Sequence, residues 1–255
     1  MSMQKKLLAL GAASITLLGV AHADDSASDE IVRNQRVIDK VIQMGEHLRT
    51  LKSFSVTAAV SQDVVLENGQ KIKYLSSGKL LYGGKNLLRT EVKGDRHTRT
   101  FYYNGKQLTI HAPRLGYYAT VDAPSTLAEM VETAENKYGM HFPMTDLFLF
   151  GKTQEQIDAI RGAAYVGPST INGKLCDHLA FRQDNADWQL WVTRSDKPLP
   201  CMLVITSTDQ PEQPEYVAVY SWDTKTKSSA ADFTFVPGKK DMKIPLKNAA
   251  EASAQ

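Results

Sequence analysis

The chain has 255 residues, 42% of them hydrophobic and 23% charged, with a formal net charge of +2. Lys5 and Lys6, in a leader without acids, account for that excess, so the rest of the chain is neutral. A neutral, mixed-charge chain argues against nucleic acid as a partner.

Residues 1–23 have the three parts of a secretory signal: Lys5-Lys6, an apolar run from Leu7 to Val20, then Ala21-His22-Ala23. Small residues at Ala21 and Ala23 suit cleavage near Ala23, which would deliver the mature chain to the periplasm. The run is too short for an ordinary membrane span, and no later segment is apolar enough to make an integral one. No cysteine follows it, so a lipid anchor is not expected. Residues 24–245 read as a single domain and 246–255 as a disordered tail.

A helix is expected over Glu30–Thr50, capped by Ser28 or Asp29, with Ile31, Ile38, Val41, Ile42, Leu48 and Leu51 on one stripe. From Phe54 to Asp122 the pattern is strands and tight turns, linked too closely for anything but an antiparallel meander. The clearest part is the ribbon Thr98–His111 around Asn104-Gly105. A two-residue type I′ turn there sets Tyr103 opposite Lys106, Phe101 opposite Leu108 and Arg99 opposite Ile110. Alternation then places Phe101, Tyr103, Leu108 and Ile110 on an apolar face, with Arg99 and Lys106 at its margins. Asn68-Gly69 and Asn172-Gly173 mark two further hairpins.

A helical insertion interrupts the strands over about residues 124–161. Thr126 with Glu129 fits a capping box, and Gly139 is a natural stop. A second piece, with Pro143 in its first turn, is apolar nearly all round and is expected to be buried. A third helix is expected over Gln154–Arg161, capped by Thr153. Strands resume at Ala163 and run to Trp222, and Asp232–Val236 reads as a last short strand. The sum is an α+β fold: a curled antiparallel half-barrel of about 10–11 strands, an N-terminal helix, and a helical plug or lid.

Cys176 and Cys201 are the only cysteines. An even count in an exported chain invites a disulfide. A flat meander would set them two strand spacings apart, about 9–10 Å, which argues against one. Cys176 and His178 share a strand face without a third partner in view, and no histidine or cysteine has metal-site spacing. No nucleophile elbow, phosphate loop or dinucleotide fingerprint is present, so neither catalysis nor a cofactor is expected. The carboxylates Asp146, Asp177 and Asp187 have no pairing that the sequence can fix. Lys73, Lys79, Lys85, Arg89, Lys93, Arg96 and Arg99 tint the first sheet basic and read as a solvated face. The alternative, contact with anionic head groups, has the neutral net charge against it.

Arg99–Pro113 with Tyr117-Tyr118, and Cys176–Gln183 with Asp187–Trp191, Pro198–Pro200 and Val204–Thr206, resemble a family of predicted periplasmic proteins, domain of unknown function 2092. The resemblance covers about Ile31–Pro245 and implies a fold similar to the LolA/LolB-like lipoprotein carriers, incomplete barrels with helices closing an apolar cavity. It implies no catalytic residue. The reading is a periplasmic binding or carrier protein for a hydrophobic ligand, a lipid or the acyl chains of a lipoprotein. Phe101, Leu108 and Ile110 would form the wall, and Met130, Met140, Phe142, Met144 and Phe148 an adaptable lining. The alternative is an envelope protein–protein interaction module with a filled core.

Overall fold

A computed structural model describes residues 32–84, 86–140 and 150–248. The expected second helical piece, with Phe142, Pro143, Met144, Asp146 and Phe148, lies outside these residues. So do Lys85, the leader and most of the tail.

Helix α1 (Gln35–Thr50) buries Val37, Ile38, Val41, Met44 and Leu48 on one stripe. Four of these five are fully buried, and each contributes about 1.5–3 kcal/mol. It starts later than expected, with Asn34 rather than Ser28 or Asp29 as cap. The reason is local: Ala163 N–H donates to Val32 C=O, and Asn34 N–H donates to Ala163 C=O. These groups are committed to the sheet edge and cannot enter a helix.

Among the described residues twelve strands form one open sheet: β1 (Phe54–Val65), β2 (Lys71–Tyr82), β3 (Leu88–Gly94), β4 (Thr98–Tyr103), β5 (Gln107–Ala112), β6 (Tyr117–Asp122), β7 (Gly162–Ile171), β8 (Lys174–Arg182), β9 (Ala186–Thr193), β10 (Pro200–Ser207), β11 (Glu215–Asp223) and β12 (Met242–Lys243). The order is β12-β6-β5-β4-β3-β2-β1-β11-β10-β9-β8-β7. Two meanders, β1–β6 and β7–β11, are thus joined where β1 pairs with β11. The two-residue β12, beside β6, pairs in parallel, as does the isolated bridge between Arg33 and Ala163. Helix α1, helix α2 (Leu127–Tyr138), the short α3 (Gln154–Asp158) and the inward residues of both meanders share one core. This is the expected architecture, an open, curled antiparallel sheet with helices against it.

The details differ in instructive places. The Asn104 side chain accepts from the N–H groups of Lys106 and Gln107, and its own N–H donates to Gln107 C=O. Asn104 therefore closes the turn, and Gly105-Lys106 forms its tip, with φ +82° at Gly105. Tyr103 faces Leu108 and Phe101 faces Ile110, a shift of two residues from the expected register. A shift of two keeps every side chain on its expected face. Asn172 and Gly173 both have positive φ, as a type I′ turn requires. Asn68-Gly69 instead ends a three-residue loop between Leu66 and Gln70.

Asp232–Val236 is not a strand. Asp232 accepts from both the N–H and the hydroxyl of Ser229, folding Ala230–Phe233 into a 3₁₀ turn. The third helix stops at Asp158, because Ile160 is drawn into the core and Arg161 N–H donates to Arg182 C=O. Cys176 and Cys201 form a disulfide, against the spacing argument, with Cα atoms 6.9 Å apart. The β9–β10 register shifts between Pro200 and Met202, so Cys201 sits on a bulge. The extra residue bends the strand and brings the pair within reach across β9.

Asp177, 4% exposed, clamps α1 to the edge of the second meander. It pairs with Lys40, accepts from Tyr165 at 3.0 Å, and meets Arg194 at 2.7 Å. Burial pushes its carboxyl up, but the hydrogen bonds from Lys40 and Tyr165 and the charges of Lys40 and Arg194 leave it below the usual range. A depressed folded value stabilises the fold fully above the unfolded value of about 3.9, and that contribution is lost as pH falls through the folded one. Asp177→Asn should cost about 2 kcal/mol in urea unfolding at neutral pH, with the difference shrinking below about pH 4. Equal stability at neutral pH would remove the clamp from the account.

Candidate functional site

The apolar face of the β4–β5 ribbon is divided along its length. Toward the Asn104 turn, Tyr103 and Leu108 are 1% and 2% exposed and belong to the packed core. Tyr103 donates to Pro124 C=O at 2.6 Å, tying the ribbon to the entrance of α2. Burial, with help from the Glu129 charge, pushes its hydroxyl up to about 12. Thr126 and Glu129 form the expected cap of α2, and Gly139 ends it with φ +64°. Met130, Val131 and Ala134 seal this end.

Toward the other end, the same face turns from core into wall. Phe101 and Ile110 line an open cavity of about 650 Å³. Its floor is the inward face of the first meander, from Val56, Ala58 and Val60 on β1 through Gly78 and Leu80 on β2 to Ala119 on β6. Tyr138 and Met140, at the end of α2, close one side. Ile244 and Leu246, from the segment that carries β12, close another. Phe235 anchors that segment by packing against Tyr102, His111 and Tyr118. Asp241, bonded to His111 at 3.1 Å, adds a second hold.

The lining is graded. Val56, Ala58, Leu80 and Ala119 are buried, while the polar Gln62, His97 and Arg99 are exposed. The Thr90 hydroxyl, on the wall, is buried and has no hydrogen-bond partner among the described residues. A cavity of this size, apolar with a few polar groups, has the character of a small-molecule site.

Of the residues singled out in the sequence, Phe101, Ile110 and Met140 come together on the cavity. Leu108 and Met130 lie in the adjoining core, because they stand nearer the Asn104 turn, where α2 covers the sheet. Phe142, Met144 and Phe148 lie outside the described residues. Gly78, Thr90 and the segment carrying β12 were not foreseen; the inward alternation of β2 and β3 was the available signal for the first two. Cys176 is spent in the disulfide. His178 stacks on Trp191 at 3.9 Å and bonds to Gln189. Asp187 pairs with Arg182. Among the described residues no group of three His, Cys, Asp or Glu side chains is placed to hold a metal ion, and no helix is long and apolar enough to cross a membrane.

Comparison with known proteins gives one family. The profile of the family described as "Predicted periplasmic protein (DUF2092)" matches residues 39–247. No curated protein matches the sequence. Among solved structures, the fold is similar to LprF from Mycobacterium bovis, with 11% identity and TM-score 0.48 over 81% of this chain and 100% of that one. It is similar to an uncharacterized conserved protein from Thermus thermophilus, with 12% identity and TM-score 0.44 over 83% and 98%. It is also similar to the lipoprotein LppX from Mycobacterium tuberculosis, with 10% identity and TM-score 0.39 over 76% and 98%.

Proposed function

This chain belongs to the family of predicted periplasmic proteins DUF2092, and on that premise we propose that it is a periplasmic binding or carrier protein for a hydrophobic ligand, a lipid or the acyl chains of a lipoprotein. The supporting observation is the cavity itself: a meander that packs tightly at one end leaves about 650 Å³ open at the other, on the same apolar face. Affinity would come from methylenes leaving water against Val56, Val60, Phe101 and Ile110, at about 0.8 kcal/mol each. The Thr90 hydroxyl would donate to an ester carbonyl on the chain. Exported after cleavage near Ala23, the protein would meet such ligands in the envelope.

An interaction module with a filled core fits less well. Its docking edge would be β7, yet that strand carries a bulge at Tyr165–Gly167 and then Pro168, both of which blunt edge pairing. Native mass spectrometry of protein released gently from the periplasm tests the reading. The expected spectrum carries adducts at lipid masses, or acquires them when lipid is added. Bare protein in both cases overturns it.

A further inference from the structure

The basic row on the first meander is not one surface. Lys73 pairs with Asp63 at 2.8 Å, Lys93 pairs with Glu91, and Arg89 lies over the Tyr102 ring. Alternation sets these residues on the face away from the cavity. Arg99 is different: two residues from Phe101 along β4, it shares the inward face and lines the cavity near its mouth.

The neighbouring turns add to it. Arg96 and His97 lie in the β3–β4 turn, and Arg114 lies in the β5–β6 turn on the same rim. All three arginines stand near enough to His97 to hold its imidazole down, behind the larger effect of its burial. Arg96 rests over the Tyr74 ring. Arg99 and Arg114 have no ion pair among the described residues. The nearby acids are engaged elsewhere: Asp95 accepts from Leu75 N–H, and Asp241 accepts from Gly238 N–H and meets His111. An apolar cavity therefore borders a rim that carries two guanidinium groups, Arg99 and Arg114, neither of them ion-paired among the described residues.

We propose that the ligand is an acyl chain with an anionic headgroup, a carboxylate or a phosphate, seated with its chain in the cavity and its head against Arg99 and Arg114. The proposal rests on the hydrophobic-ligand reading and adds a charge and an orientation to it. Guanidinium forks match both kinds of head in geometry, and each would make paired hydrogen bonds. Arg96 completes the electropositive rim without needing direct contact, and His97, held toward its neutral form, adds a polar group to it.

The test compares palmitate and hexadecyl phosphate with neutral hexadecanol on the purified protein, by displacement of a fluorescent fatty-chain probe. Both anions should bind about tenfold tighter than the alcohol, with the advantage shrinking as salt is raised. Arg99→Gln combined with Arg114→Gln should abolish the advantage and leave hexadecanol binding unchanged, which also reports that the variant is folded. Equal binding of all three by the unaltered protein overturns the headgroup proposal and leaves the cavity reading intact. Loss of hexadecanol binding in the variant overturns it too, since the arginines would then be structural. No binding of any of the three overturns the cavity reading and this proposal with it.

Discussion

Replacing Gly78 by Phe should weaken acyl-chain binding about 50-fold while leaving the protein folded. Gly78 faces the cavity from β2, opposite Ala58, and a Cβ built there meets only the Ala58 Cβ, at 3.9 Å. Its backbone needs no conformation closed to other residues. A side chain at this position therefore starts into the cavity without a clash at its Cβ, and an aromatic residue suits a strand better than glycine does. Excluding about three methylenes, at about 0.8 kcal/mol each, gives about 2.4 kcal/mol, which is the quoted factor. Ser77→Phe, one residue along and on the other face, is the control and should bind as the unaltered protein does. The measurement is the same probe displacement, with thermal unfolding alongside it. If Gly78→Phe binds with undiminished affinity, the ligand does not lie in this cavity.

The disulfide should matter for stability and not for binding. Cys176 and Cys201 are 25 residues apart in sequence, and closing a loop of that length stabilises a fold by about 3 kcal/mol. For a domain of this size, replacing both by alanine should lower the thermal midpoint by about 6–12 °C. The pair packs with Trp191 and Val204 in a small cluster separate from the main core. Ligand affinity at ambient temperature should accordingly be unchanged. A midpoint within a degree of the parent would mean that the bridge contributes nothing. Lost affinity in a folded variant would mean that the bridge acts on the site through Tyr216 of β11, which lines the cavity.

The sequence was legible wherever alternation or a local cap decides the outcome. The faces of β4 and β5, the cap at Thr126, the stop at Gly139 and the meander itself could all be read directly. It was less legible where a side chain competes with the backbone. The three Asn-Gly pairs make three different turns, because Asn104 caps its own turn with its carbonyl oxygen and Asn68 sits inside a longer loop. Non-local effects were hidden as well. The bulge at Cys201 converts an apparent gap of two strand spacings into a bridge, and the pairing of residues 32–34 with Ala163 delays α1. Above all, alternation writes core and cavity identically. Nothing in the spacing of Phe101, Tyr103, Leu108 and Ile110 says that the outer pair borders open space and the inner pair does not. Arg99 was visible as the margin of that face, but Arg114, in a different turn, could join it only through the fold.

That division of the ribbon bears on how the protein can change over generations. Tyr103 and Leu108 are held to a packed neighbourhood in which a single lost methylene is felt. Phe101 and Ile110, a few ångströms along the same ladder, border space that tolerates larger or smaller neighbours. Substitutions at the mouth can therefore alter which molecule is accepted while the Pro124 end keeps the register. One hairpin gives the lineage a fixed anchor and a variable aperture, so new specificity can arise here without a new fold.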